Sequence, residues 1–239
     1  MKKIFKYLLI TIMVFNTAAF AKDSKSDLES LEKTLTLYKQ FNLDGELEKT
    51  IDYVYEPVFK ITPKKTLSDG FKMVKESGKM PKVNTFNETI RTPLKSYEKG
   101  IYTLVDYTMS MTMNMMPPVK KENKEEYEKV QKMLNNPKEL AAFKSFMLQM
   151  LKTSMGKDSE VTPQKDSMIV DIKKSSTMIA INENKSGWKF VEPAPAMIAE
   201  LKKVLPQEIV NNEKKIFDVK VLTPEEQMAA MMEMMGANK

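Results

Sequence analysis

Residues 102–118, YTLVDYTMSMTMNMMPP, place methionines at 109, 111, 113 and 115 in a chain with no cysteine and no histidine. Thioethers at alternate positions can ligate a soft ion such as Cu(I), offer a pliable apolar surface to a ligand, or fill a core. Alternate residues of a strand stand about 6.6 Å apart, so Met109, Met111 and Met113 span about 13 Å and meet at one ion only if the chain bends sharply. That geometry favours core or pocket over metal, and with Tyr107 these three form the candidate ligand-binding set. No metal site is assigned. A second group, Met228, Met231, Met232 and Met235, falls on one helical face within two turns. This is the spacing of an apolar stripe, docked on the domain or on a partner.

Absent residue types exclude several chemistries. Without histidine or cysteine there is no Ser-His or Cys-His nucleophile, no imidazole base and no thiolate or imidazole zinc site. Among only seven glycines there is neither a P-loop nor a GxGxxG fingerprint, so no nucleotide cofactor is expected. What remains is carboxylate, tyrosine or lysine catalysis, which needs a buried group with a shifted pKa. Binding rather than catalysis is the expectation, with an isomerase or hydrolase using carboxylate and tyrosine as one alternative and Cu(I) handling as another.

The first 21 residues have the layout of a secretory signal. Lys2, Lys3 and Lys6 precede the apolar run YLLITIMVF, and Ala19-Phe20-Ala21 supplies a small-x-small cleavage site. Cleavage after Ala21 and a periplasmic or secreted location follow as expectations. The apolar run is too short for the roughly 20 residues that cross a bilayer as a helix. The remaining 35 basic and 32 acidic residues are interleaved rather than clustered, which disfavours nucleic acid as a partner. An apolar small molecule, a protein partner or a second copy of the chain is expected instead.

The elements that would position these residues begin with Ser26-Asp27-Leu28-Glu29, which reads as a capping box opening a helix over Leu28, Leu31, Leu35 and Tyr38. A shorter helix around Leu47, Ile51 and Val54 follows. Thr62-Pro63 predicts a cap and first-turn proline for a third helix that carries Leu67, Phe71 and Val74 to Gly78. From Lys82 the period changes to two: KVNTFNETIR is a strand, and residues 101–116 alternate as one long strand expected to bend at a bulge. Residues 119–160 read as a helical insertion, with Asn136, Pro137 and Glu139 starting its main helix. SMIVDI, STMIAI and WKFVE read as a meander, and a helix follows around Met197, Leu201 and Leu205. Thr223-Pro224 opens a last helix over 224–235. The layout is a signal peptide over 1–21, one α+β domain over 22–222 and a Met-rich helix and tail over 223–239.

The stretches LYKQF, IDYVYEPVF, GIYTLVDYTMSM and SGWKFVE, in that order, resemble the cystatin-like α+β cone of nuclear-transport-factor-2-like and SnoaL-like proteins. The resemblance covers residues 27–193 apart from the insertion. It implies N-terminal helices packed on a strongly curved antiparallel sheet, with a pocket open at the wide end. It also implies that the domain either binds or dimerises, or acts through a carboxylate base and a tyrosine or acidic donor facing that pocket, for which Tyr38, Asp52, Tyr55 and Asp106 are the candidates, with Tyr53 and Tyr107 beside them; fold alone does not choose.

Overall fold

The computed structural model describes residues 25–116, 124–155, 158–165 and 167–218. The expected signal peptide and last helix, with Met228, Met231, Met232 and Met235, lie outside the described residues. Helix α1 occupies residues 25–43. Leu31 and Leu35, one turn apart, are fully buried, so the predicted stripe is the face that packs. Burying each leucine contributes about 1.5–3 kcal/mol. Lys25 is already helical, so Ser26 lies within the helix rather than at its cap.

After Gly45, whose φ of +73° suits a residue without Cβ, the chain runs through α2 (Leu47–Thr50) and two 3-10 turns, Ile51–Tyr53 and Glu56–Lys60. Helix α3 (Lys64–Glu76) begins one residue later than expected. Pro63 occupies the cap position and no side chain caps the helix. Gly78, at φ +67°, ends it as predicted.

The sheet has six antiparallel strands: β1 (Lys82–Ile90), β2 (Lys95–Tyr97), β3 (Gly100–Asn114), β4 (Ser159–Pro163), β5 (Ile169–Glu183) and β6 (Lys189–Val191). The order is β1-β3-β5-β4, with β2 on the β1 side of β3 and β6 on the β4 side of β5. The expected α+β architecture, helices on an antiparallel sheet with a helical insertion, is therefore the one observed, and the sheet is open. Strands β3 and β5 pair over all fifteen residues, from Gly100 opposite Glu183 to Asn114 opposite Ile169. SMIVDI and STMIAI thus belong to one strand rather than two, because Lys173-Lys174-Ser175 continues the ladder where composition suggested a turn. The irregularity expected in β3 lies in its neighbour: β1 shifts register between Val83 and Thr85. Gly100 is required where it stands, since a Cβ there would come within 2.2 Å of the Asn182 carbonyl oxygen.

The insertion consists of α4 (Lys124–Leu134) and α5 (Pro137–Met155). Asn136 caps α5 as its sequence predicts, its Oδ1 accepting from the Lys138 and Glu139 amides at 3.2 and 3.4 Å while its amide donates to the Glu139 carboxylate at 2.7 Å. Three short helices, α6 (Ile198–Val204), α7 (Gln207–Asn212) and α8 (Lys214–Phe217), follow β6. None of the described helices is long and apolar enough to cross a membrane.

Three apolar clusters divide the two faces of the sheet. Val105 and Tyr107 pack with Leu31 and Leu35 of α1, and Met109 and Met111 border this cluster. Further along the same face, Met115 packs with Leu151 of α5 and with Val161, Val170 and Ile172, joined by Met111 and Met113. On the opposite face Tyr102 and Leu104 meet Ile198, Leu201, Ile209 and Phe217 of α6–α8. Residues 102–105 are consequently buried on both faces; burial alternates only across Asp106, Tyr107 and Thr108, and residues 109–114 are half-buried on either face. Beyond that point Asp106, Thr108, Ser110 and Thr112 stand opposite Thr177, Ser175, Lys173 and Asp171, and they join none of the apolar clusters.

Candidate functional site

A cavity of about 310 Å³ lies over the β6 edge of the sheet, between α1, the 50–62 segment and α3. Its size is at the small end of ligand pockets, which run from roughly 300 to 1,000 Å³. Phe86, Tyr107, Met109, Met178 and Phe190 contribute from the sheet, Tyr38 and Asn42 from α1, Tyr53 and Val58 from the turns, and Leu201 from α6. The strand alternation that buries Val105 also aims Tyr107 and Met109 at α1, one turn beyond Leu35.

The aromatic wall is built around Tyr38. Its ring centroid lies 5.0 Å from Phe190 and 6.1 Å from both Tyr53 and Phe86, with interplanar angles of 57°, 71° and 75°. Phe86 stacks on Tyr107 at 5.2 Å and 2°. The tilted pairs present ring edges to ring faces, the favourable arrangement for the aromatic quadrupole.

One corner of this wall is polar. Lys174 of β5 forms an ion pair with Glu192, the residue after β6. Its ammonium also stands 5.9 Å from the centroid of the Tyr107 ring. Burial pushes the Tyr107 hydroxyl far above its ordinary pKa, and the negative charge and hydrogen bond of Glu192 push it further. Burial, then the charge of Glu192, raises Tyr38 to about 12 against a hydrogen bond from Asn42 that lowers it. Both phenols are therefore protonated near neutral pH and present hydrogen-bond donors in an apolar surround.

Helix α3 covers the cavity with Leu67 and Phe71. None of its thirteen residues is buried, so its apolar stripe is only half covered. At its first turn, Lys64 Nζ is 2.8 Å from Asp52 Oδ1. An amphipathic helix held by a partly wet face and an exposed ion pair is weakly attached, since such pairs contribute about 0–1 kcal/mol.

The candidates read from sequence are dispersed by the fold. Tyr38, Tyr107 and Met109 line the cavity together, with Tyr53 beside them. Met111 and Met113 lie along the strand toward α5. Asp52 is on the surface, its side chain 72% exposed in the pair with Lys64. Tyr55 belongs to the opposite core, where its hydroxyl donates to Glu183 Oε2 at 2.8 Å. Asp106 sits on the polar face, gripped by Arg91 Nε and Nη2 at 2.6 Å each and by the Thr177 hydroxyl at 2.6 Å. The Arg91 hydrogen bonds hold its carboxyl below the ordinary carboxylate range. Glu192, Lys174, Phe86 and Phe190 escaped the sequence reading. Only the register that brings β5, β6 and α1 together identifies them, and no local motif encodes it.

The described residues contain no group of three or more acidic side chains placed to hold a metal ion. Methionines do gather where β3 meets α5, with Met111, Met113, Met147, Met155 and Met168 around buried Met115. They are interleaved with Leu151, Val161, Val170 and Ile172, the composition of a packed core. No family model, curated protein or solved structure matches the chain.

Proposed function

We propose that this protein is an exported binding module that takes an apolar small molecule into the cavity beneath α3. The observation that carries this reading is the combination of an aromatic and methionine wall, one polar corner at Glu192, which Lys174 pairs, and a cover helix with no buried residue. A wall of this kind supplies affinity without demanding a unique shape, because thioethers adapt and rings offer large faces. The polar corner fixes orientation, as a few convergent polar groups do in ligand sites generally. The resemblance to a cone with an open pocket supports this reading, and the signal-like layout of residues 1–21 supports export.

Titration with the apolar fluorophore N-phenyl-1-naphthylamine tests the reading. Saturable binding of one probe per chain is expected, lost in Met109→Trp and Leu67→Trp, which fill the cavity from floor and cover. Binding that persists undiminished in both folded variants places the probe elsewhere and defeats the proposal.

A second reading rests on the same corner. Tyr38 and Tyr107 as donors beside the Glu192 carboxylate are the parts of an isomerase- or hydrolase-type site. It requires turnover that is abolished in Glu192→Gln while probe binding survives; the binding reading requires none.

A further inference from the structure

Resting on the binding reading above, we propose that the cavity selects an uncharged amphiphile, an apolar chain ending in a hydroxyl or carbonyl, over the corresponding carboxylate or ammonium. The argument begins with the charges at the polar corner. Glu192 is satisfied by Lys174, so the two together carry no net charge. Glu192 lines the cavity with its side chain 40% exposed, and Lys174, 15% exposed, holds it from beside the Tyr107 ring. Lys189, whose ammonium is 6.0 Å from the Tyr53 ring, donates to the Asp52 carbonyl.

A carboxylate entering this corner would bring a second negative charge to a lysine already paired, against the Glu192 charge. An ammonium would find the Glu192 carboxylate already held by Lys174. Either ion would also leave water for a wall of rings and thioethers, a desolvation that remains unfavourable even after relaxation. A hydroxyl or carbonyl pays far less, provided it finds a hydrogen-bond partner.

Tyr38 supplies that partner. Its ring lines the cavity, and a phenol both donates and accepts. The ring sits at the centre of the wall, against Tyr53, Phe86 and Phe190. A ligand oxygen accepting from Tyr38 completes the corner without changing its charge. The chain then extends along Phe86, Met109 and Phe190 toward α3.

Displacement of N-phenyl-1-naphthylamine by 1-decanol, decanoate and decylammonium at pH 8 tests this selection. These probes share a chain length and differ in the charge of one end. Decanol is expected to displace at a concentration about tenfold below either ion. Because a neutral chain partitions more readily into any apolar site, the ratios in two variants decide the matter. Glu192→Gln should bring decanoate to within about threefold of decanol, since it removes the opposing charge and frees Lys174. Tyr38→Phe should weaken decanol several-fold and leave decanoate unchanged. Decanoate displacing as well as decanol in the unaltered protein, or ratios that neither variant moves, would overturn the selection while leaving the cavity reading intact. Failure of all three to displace a probe that binds, or of the probe to bind, would overturn both.

Discussion

Phe86 of β1 and Tyr107 of β3 lie with their rings parallel, 5.2 Å between centroids and 2° between planes. Their backbones are diagonal neighbours, since Phe86 stands opposite Met109 and Tyr107 opposite Glu88. The stack therefore ties the edge strand to the central pair while its upper surface forms cavity wall. Phe86→Ala should lower stability by about 3–5 kcal/mol, the ordinary cost of removing a buried aromatic ring. Phe86→Leu should cost less and weaken probe binding more than it weakens the fold. Chemical denaturation set beside probe titration separates the two effects; equal losses of binding and stability in both variants would reduce the stack to core packing.

The two faces of β3 respond differently to charge. Val105 is fully buried between α1 and the sheet, whereas Thr108 is exposed among Asn87 and Ser175. Val105→Asp should destabilise by several kcal/mol and prevent folding at ordinary temperature, because the charge has no partner. Thr108→Asp should change stability by less than about 1 kcal/mol. Similar thermal midpoints for the two would contradict the assignment of faces. Thr112 is the poorer control, since its hydroxyl already bonds Asp171 at 2.7 Å and an aspartate there would face a like charge.

Alkaline titration reads the buried phenols. Tyr38 and Tyr97 are raised to about 12, chiefly by burial, and Tyr55, Tyr102 and Tyr107 are raised as well. A raised pKa in the folded state means that folding favours the protonated form. The resulting stability is complete below the unfolded tyrosine value of about 10 and is lost as pH climbs through the folded values. Absorbance near 295 nm should show these five tyrosines ionising late and together with loss of the fold, between about pH 10 and 12. Smooth titration of every tyrosine near pH 10, with the fold retained, would show that the cavity wall is open to water.

Much of this architecture was legible from local signals. Asn136-Pro137 with Glu139 encodes a helix start that needs nothing from elsewhere, and the Leu31/Leu35 stripe declares its own buried side. The alternation from Asp106 to Met115 likewise names which side chains join the apolar clusters, although residues 109–114 of both faces are half-buried and the expected wet face is not fully exposed. Tyr102 to Val105 defeated the same reasoning because α6–α8 cover one end of the opposite face, and burial on both sides erases the period. The polar corner was illegible for a related reason. Lys174 looks like one lysine of a solvated pair, and Glu192 like the polar end of a strand. Their meeting depends on β5 running unbroken through Lys173-Lys174 and on β6 pairing with residues 179–181. Asp52 and Asp106 looked more chemical, being acids beside aromatic residues, yet each is spent in an exposed ion pair.

The central claim is that α3 closes a cavity that holds an apolar molecule. Native mass spectrometry of the full chain, with and without N-phenyl-1-naphthylamine, measures it most directly when Phe71→Ser is compared with the unaltered protein. Because no residue of α3 is buried, Phe71→Ser should shift the unfolding midpoint by little. The account predicts a single probe adduct on the unaltered protein and at least a tenfold weaker adduct on Phe71→Ser, with charge-state distributions of the two proteins alike. Adducts of equal strength on both, or several adducts with no preferred stoichiometry, would contradict it.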